Sequence, residues 1–102
     1  MNVVNLCPHD VVVCGKTFPK SDTPARVSEI SMPAGSFAGI ELVTKDYGEV
    51  YNLPCQKADT LYIVSAMVRL ACPDRADLAS PGDQVRDDNG HILGVTNLVV
   101  NR

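Results

Sequence analysis

The chain has 102 residues, of which 45% are hydrophobic and 21% charged, a composition typical of a folded globular protein and unlike that of a disordered one. This length fits a single domain, residues 1–102, with one core. The formal net charge of −3 disfavours nucleic acid as a partner, because nucleic acids are bound mainly through clusters of Lys and Arg.

The amino-terminal segment lacks the basic region and the unbroken apolar run of about 7–15 residues that a secretory signal needs. The chain also lacks a stretch of about 20 apolar residues that could span a membrane. We therefore expect a cytoplasmic protein without membrane contact. Its four cysteines would then lie in a reducing compartment, where disulfides are rare.

The first half of the chain predicts short strands. Residues 3–6 and 10–14 are valine-rich runs of the kind that strands prefer, and residues 15–24 contain the breakers of a surface loop. Residues 25–30 alternate loosely, as an edge strand does. With Pro33, Gly35 and Gly39, residues 32–39 are expected to form a second, flexible loop.

A hairpin is expected next, with strands at residues 40–44 and 49–53 and a four-residue turn at residues 45–48. Residues 60–64 give the strongest signal for a buried strand. A short helix follows over about residues 65–72, capped by Ser65 and stopped by Pro73.

Two turns are predicted near the carboxyl end. Pro81-Gly82 is typical of a type II turn, and Asn89-Gly90 predicts a two-residue hairpin turn. This turn places Asp88 opposite His91, Arg86 opposite Leu93 and Val85 opposite Gly94. The predicted class is α+β: a mainly antiparallel β-sheet or small barrel, with one short helix and a C-terminal hairpin.

Metal binding and catalysis find little support in the sequence. The cysteines are spaced far wider than a zinc site requires, and Cys7, His9 and His91 form only a weak candidate set. We expect no metal and no cofactor, with the cysteines serving as structural residues. His9 is the one candidate general base, and it has no fixed partner in the sequence.

Charge is concentrated in residues 60–94, which hold three of the five arginines and five of the nine aspartates. One interpretation is a pocket that holds a small anionic group such as a phosphate. The other is that the arginines pair with aspartates and brace the turns. The residues of the expected ligand site are His9, Ser65, Arg69, Arg75 and Arg86.

Two segments resemble a family of small uncharacterised bacteriophage and prophage proteins. VVNLCPHDVVV is similar to their N-L-T-P-H start, and the carboxyl-terminal part carries their P-D-R-x-D-L, P-G-D-x-V-R-D and G-x-I-x-G patterns. Cys7 stands where the family has Thr, which further weakens the metal hypothesis. The resemblance implies a protein of the bacterial host cytoplasm, and such small phage proteins are often inhibitors or sponges for defence signals.

Three functions follow, in this order. The first is a binding protein, expected to be homo-oligomeric, that sequesters a small anionic, nucleotide-like ligand as a counter-defence protein. The second is a protein–protein interaction or inhibitor subunit that uses exposed valine-rich edge strands and binds no small ligand. The third, ranked last, is a small hydrolase or lyase that uses His9, so the sequence disfavours an enzyme but leaves the question open.

Overall fold

A computed structural model of the chain describes residues 1–101. This part of the chain forms ten strands and one helix. In chain order they are β1 (Asn2–Asn5), β2 (Val11–Val13), β3 (Lys16–Phe18), β4 (Arg26–Phe37), β5 (Ile40–Tyr51), β6 (Thr60–Ile63), α1 (Ala66–Ala71), β7 (Leu78–Pro81), β8 (Gln84–Arg86), β9 (Ile92–Val95) and β10 (Leu98–Val100).

Four strands form a central sheet in the order β1-β6-β7-β10. Strand β6 lies in its interior, parallel to β1 on one side and to β7 on the other, and β10 closes the sheet antiparallel to β7. Tyr62, Ile63 and the following Val64 are all buried. An unbroken apolar run is typical of a strand that is covered on both faces, so the sequence signal at residues 60–64 is confirmed.

The two faces of the central sheet are covered by different elements. On one face Tyr62, Val64 and Leu78 pack with Val68 of α1 and with Leu6 and Ala25. On the other face Ile63 packs with Cys7 and Val11. Val11 belongs to the outer sheet, whose strand order is β3-β2-β9-β8. The core is therefore layered as helix, central sheet and outer sheet.

The predicted helix is confirmed. Helix α1 covers Ala66–Ala71, inside the expected residues 65–72, and the Ser65 hydroxyl accepts a hydrogen bond from the Val68 amide at 3.3 Å. This bond satisfies one of the amides that the first turn of a helix leaves without a partner. Proline at position 73 prevents a further turn.

Strands β4 and β5 form a long two-stranded ribbon, here called the arm. The expected loop at residues 32–39 and the expected turn at residues 45–48 are both wrong, because pairing runs from Arg26 opposite Tyr51 to Phe37 opposite Ile40. Ala38 and Gly39 connect the strands with φ of 51° and 78°. Two successive positive φ values are the geometry of a tight type I′ hairpin turn. The register shifts between Pro33 and Ser36 and again between Val27 and Glu29, as at β-bulges.

The turns near the carboxyl end differ in detail from the prediction. Val85 lies opposite Gly94 as expected, but Arg86 lies opposite Ile92, and the Gly90 amide donates to the Asp87 carbonyl at 3.0 Å. Gly90 has a φ of 82°, so the turn uses three loop residues and a bulge.

Gly82 is not in the positive-φ conformation that a type II turn requires. A Cβ atom at Gly82 would collide with the Asn97 side chain, whose Oδ1 accepts a hydrogen bond from the Asp83 amide at 2.9 Å. Glycine is therefore needed at this position so that the Asn97 side chain can approach the backbone closely, and not for the conformation of the turn.

The α+β class with one short helix is confirmed, and the sheets are mixed. Four of the seven strand pairings are antiparallel and three are parallel. Over residues 1–101 the strands form three sheets and do not close into a barrel.

Leu78→Ala tests the layered core. The side chain is fully buried, and we expect its truncation to lower the free energy of unfolding by about 2–5 kcal/mol in urea titrations. Leu70→Ala is the matched control, because Leu70 is 63% exposed on the helix and its loss is expected to cost about 0.5 kcal/mol or less. Equal losses in the two variants would contradict this account of the core.

Candidate functional site

Arg75 is bonded to internal acceptors. Its Nε and Nη2 atoms donate to the two carboxylate oxygens of Asp77, each at 2.8 Å, and Nη2 also donates to the Pro54 carbonyl at 3.0 Å. The Asp77 side chain is buried. These hydrogen bonds lower the pKa of the Asp77 carboxyl against the opposing effect of burial, and they raise the pKa of Arg75. The pair ties the segment before β6 to the segment before β7.

Arg69 also donates inward. Its Nε atom donates to the buried Ser80 hydroxyl at 2.8 Å, and its Nη1 atom donates to Asn101 Oδ1 at 3.0 Å. The Asn101 amide in turn donates to the carbonyls of Arg69 and Cys72, both at 3.0 Å, and to that of Arg75 at 3.3 Å. Asn101 therefore closes the carboxyl end of α1, a role that nothing in the sequence around it indicated.

Arg86 lies on the outer sheet, in β8. Its two terminal nitrogens donate to the Gly90 carbonyl and to Gln84 Oε1, both at 2.9 Å. Asn101 links Arg69 and Arg75 through its contacts with both, whereas Arg86 belongs to another element and braces its own hairpin. The three arginines of residues 60–94 thus form hydrogen bonds that stabilise the turns and chain ends around them.

The other two expected ligand residues lie at separate places. Ser65 caps α1. His9 is exposed in the bend between β1 and β2, where its Nδ1 atom lies 3.1 Å from the Asp10 carbonyl and its own carbonyl accepts from the Asn5 amide at 3.0 Å.

The cysteines and histidines do not assemble into a cluster. Within residues 1–101, no group of three or more His, Cys, Asp and Glu side chains is placed to hold a metal ion. Cys7 is buried, and its burial raises the pKa of its thiol. His91 is exposed, with Nδ1 3.4 Å from the Asp87 carboxylate.

The arm presents a row of apolar side chains to solvent. Pairs directly opposite each other share a face of a two-stranded ribbon, and residues two apart along a strand share it as well. Register places five large apolar residues on one face, here called the apolar arm face: Ile30 (60% exposed), Met32 (51%), Phe37 (74%), Ile40 (64%) and Leu42 (42%).

The apolar arm face points away from the core. At the base of the arm, Val27 and Val50 pack against the core cluster around Tyr62 and Val68. Ile30 is three residues from Val27 along β4, so its side chain points to the opposite face. The core side of the arm continues outward through the pairs Glu29–Tyr47 and Ser31–Lys45 to Pro33 opposite the exposed Val43.

Two cavities lie beside β1, the edge strand of the central sheet. One has a volume of about 590 Å³ and is mostly apolar, with Val3, Leu61 and Val100 in its wall. The other, of about 440 Å³, is lined by β1 and β3 and by two lysines, Lys16 and Lys57. Here it is called the lysine cleft.

Comparison with known proteins yields no relative. A scan against protein-family models finds no matching family, and searches of curated proteins and of solved structures find no match. The resemblance to phage proteins therefore stays a prediction. No helix within residues 1–101 is long and apolar enough to cross a membrane.

Asp77→Asn tests the buried ion pair. Because the folded-state pKa of Asp77 is lowered, the ionised carboxylate stabilises the fold above its unfolded-state pKa, and this contribution is lost as pH falls through the folded-state value. At neutral pH we expect the variant to lose about 1–3 kcal/mol of unfolding free energy. The gap to the wild-type protein should shrink as the solution is acidified.

Glu29→Gln is the control, since it breaks the exposed Lys45–Glu29 pair at 3.2 Å and is expected to cost about 0–1 kcal/mol. Urea titrations across the acidic range measure both variants. A loss for Asp77→Asn that does not change with pH would contradict the assignment.

Proposed function

We propose that this protein is a protein–protein interaction subunit that binds through the apolar arm face, and that its partner on this face is a second copy of the same chain. The observation that supports the proposal is the row of five exposed apolar side chains on one face of a ribbon that the core does not cover. Large exposed apolar patches on soluble proteins mark interaction sites.

The stability of the arm favours a partner that is always present. A two-stranded ribbon is marginal in water by itself, and it gains stability when more strands or a packed face are added. This chain supplies neither along the outer part of the arm, where residues 28–49 are exposed. A second copy is available wherever the chain is made, so it meets this need without a separate protein.

The shape of the molecule supports the same partner. The radius of gyration is 16.2 Å, whereas a compact domain of about 100 residues has a value of about 13 Å. The two arm strands contain 12 residues each, and one side of a standard protein interface has about 20–30 residues. Because side chains alternate between the two faces of a ribbon, about half of these residues lie on the apolar arm face, and the arm provides part of one side of such an interface.

Charge permits two like faces to meet. The outer half of the apolar arm face, formed by Met32, Phe37, Ile40 and Leu42, contains no charged side chain, and Asp46 lies nearer the base, opposite Ile30. A twofold dimer uses the same patch on both copies, so the patch needs only to match itself. Face-to-face packing of the outer halves of two apolar arm faces meets this requirement, because these halves contain no charged side chain.

The ligand site expected from the sequence, with its arginines, is less well supported as the functional site. Arg69 and Arg75 donate to Ser80, Asn101 and Asp77, so both guanidinium groups already form hydrogen bonds within the fold. Removing Arg75 would leave the buried Asp77 carboxylate without its partner, which is costly. Both arginines are accordingly assigned to stability.

Leu42→Glu tests the self-association. The wild-type protein is expected to form dimers in sedimentation velocity experiments, and the variant is expected to raise the dimer Kd by about two orders of magnitude, because the dimer contains the buried charge twice. Val43→Glu is the matched control: Val43 is the next residue, 49% exposed, on the opposite arm face. Its Kd should stay close to that of the wild type.

Two results would contradict the proposal. One is a wild-type protein that remains monomeric at every concentration measured, which would leave a different protein as the partner of the arm. The other is an equal weakening by Leu42→Glu and Val43→Glu. Circular dichroism of both variants verifies that the strands have formed.

A further inference from the structure

The lysine cleft lies where the edges of two sheets meet. Strand β1 is the outermost strand of the central sheet, and β3 is the outermost strand of the outer sheet. The Asn5 side chain joins them by donating to the Phe18 carbonyl at 2.9 Å. Beside this junction the cleft, with a volume of about 440 Å³, falls within the size range of small-molecule sites, roughly 300–1,000 Å³.

The charged side chains of the cleft are all positive. Lys16 comes from β3 and Lys57 from the segment before β6, and within residues 1–101 no Asp or Glu lines the cleft. Neither lysine forms an ion pair with any described residue. In a chain with a net charge of −3, two unpaired cations on one cleft create a local field opposite to that of the whole molecule.

The rest of the wall combines the polar residues Asn2 and Thr60 with apolar and aromatic groups. Phe18, Tyr62 and Val4 line the cleft together with the lysines. The Lys16 ammonium lies 5.5 Å from the centroid of the Phe18 ring. The ammonium lies over the ring, so a planar ring of a ligand can stack on Phe18 when Lys16 moves off the ring to meet the ligand's anionic group.

We infer that the lysine cleft binds a small anion that carries a planar ring, the chemistry of a nucleoside monophosphate. Lys16 and Lys57 supply the charge for the phosphate, and Phe18 and Val4 supply the apolar contact for the ring. The three arginines differ from these lysines in that each already forms hydrogen bonds within the fold. This site is separate from the apolar arm face and does not depend on self-association.

Titration of the full chain with the four common nucleoside monophosphates tests the inference, with backbone amide NMR shifts as the readout. Saturable binding is expected, with shifts at Lys16, Phe18 and Lys57. Each nucleoside lacks the phosphate and inorganic phosphate lacks the ring, so both are expected to bind at least about tenfold more weakly, a difference of about 1.4 kcal/mol.

The double variant Lys16→Gln/Lys57→Gln is expected to lose at least about tenfold in affinity. Its control is Lys20→Gln/Lys45→Gln, which changes the net charge equally at two exposed lysines outside the cleft. Both variants retain the wild-type pattern of core amide shifts if they are folded.

Three outcomes would overturn the inference. The first is the absence of saturable binding of any of the four nucleotides at millimolar concentration. The second is an equal loss in the control variant, which would indicate attraction to overall charge. The third is inorganic phosphate or the nucleoside binding as tightly as the nucleotide.

Discussion

The core of this protein depends on strand β6 being covered by other elements on both of its faces. Tyr62 and Val64 are buried against α1, and Ile63 is buried against the outer sheet, so one short strand joins the two halves of the core. Among residues 1–101, none of the buried hydrophobic residues comes from β4 or β5. The arm touches the core with the partly buried Val27 and Val50 at its base, and the apolar residues of its outer part are available for another purpose.

This division gives the molecule two separable parts. The layered core holds its turns with the charge-rich carboxyl-terminal segment, in which Arg69 and Arg75 bond to Ser80, Asn101 and Asp77. The arm leaves this core at Val27 and Val50 and presents its apolar face to solvent. The lysine cleft lies elsewhere, beside β1 and β3, so the two proposed sites, one for a protein and one for an anion, lie on different surfaces.

The sequence predicted elements whose signals are local. Ser65 and Pro73 delimit α1, and the apolar run at residues 60–64 marks the buried strand. The arm was missed because Pro33 and Gly35 usually break strands, yet a two-stranded ribbon has free edges and tolerates both. The lysine cleft and the contacts of Asn101 are formed by residues that are distant in sequence. No local sequence pattern indicates that such residues lie together in the fold.

Hydrogen exchange of the arm amides as a function of protein concentration tests the central claim most directly. If a second copy covers the apolar arm face, protection of the β4 and β5 amides rises with concentration, because dimerisation stabilises a ribbon that is marginal alone. Protection of β6 and β7 should stay constant over the same range. Arm amides whose protection does not vary with concentration, in step with those of the core, would contradict the account.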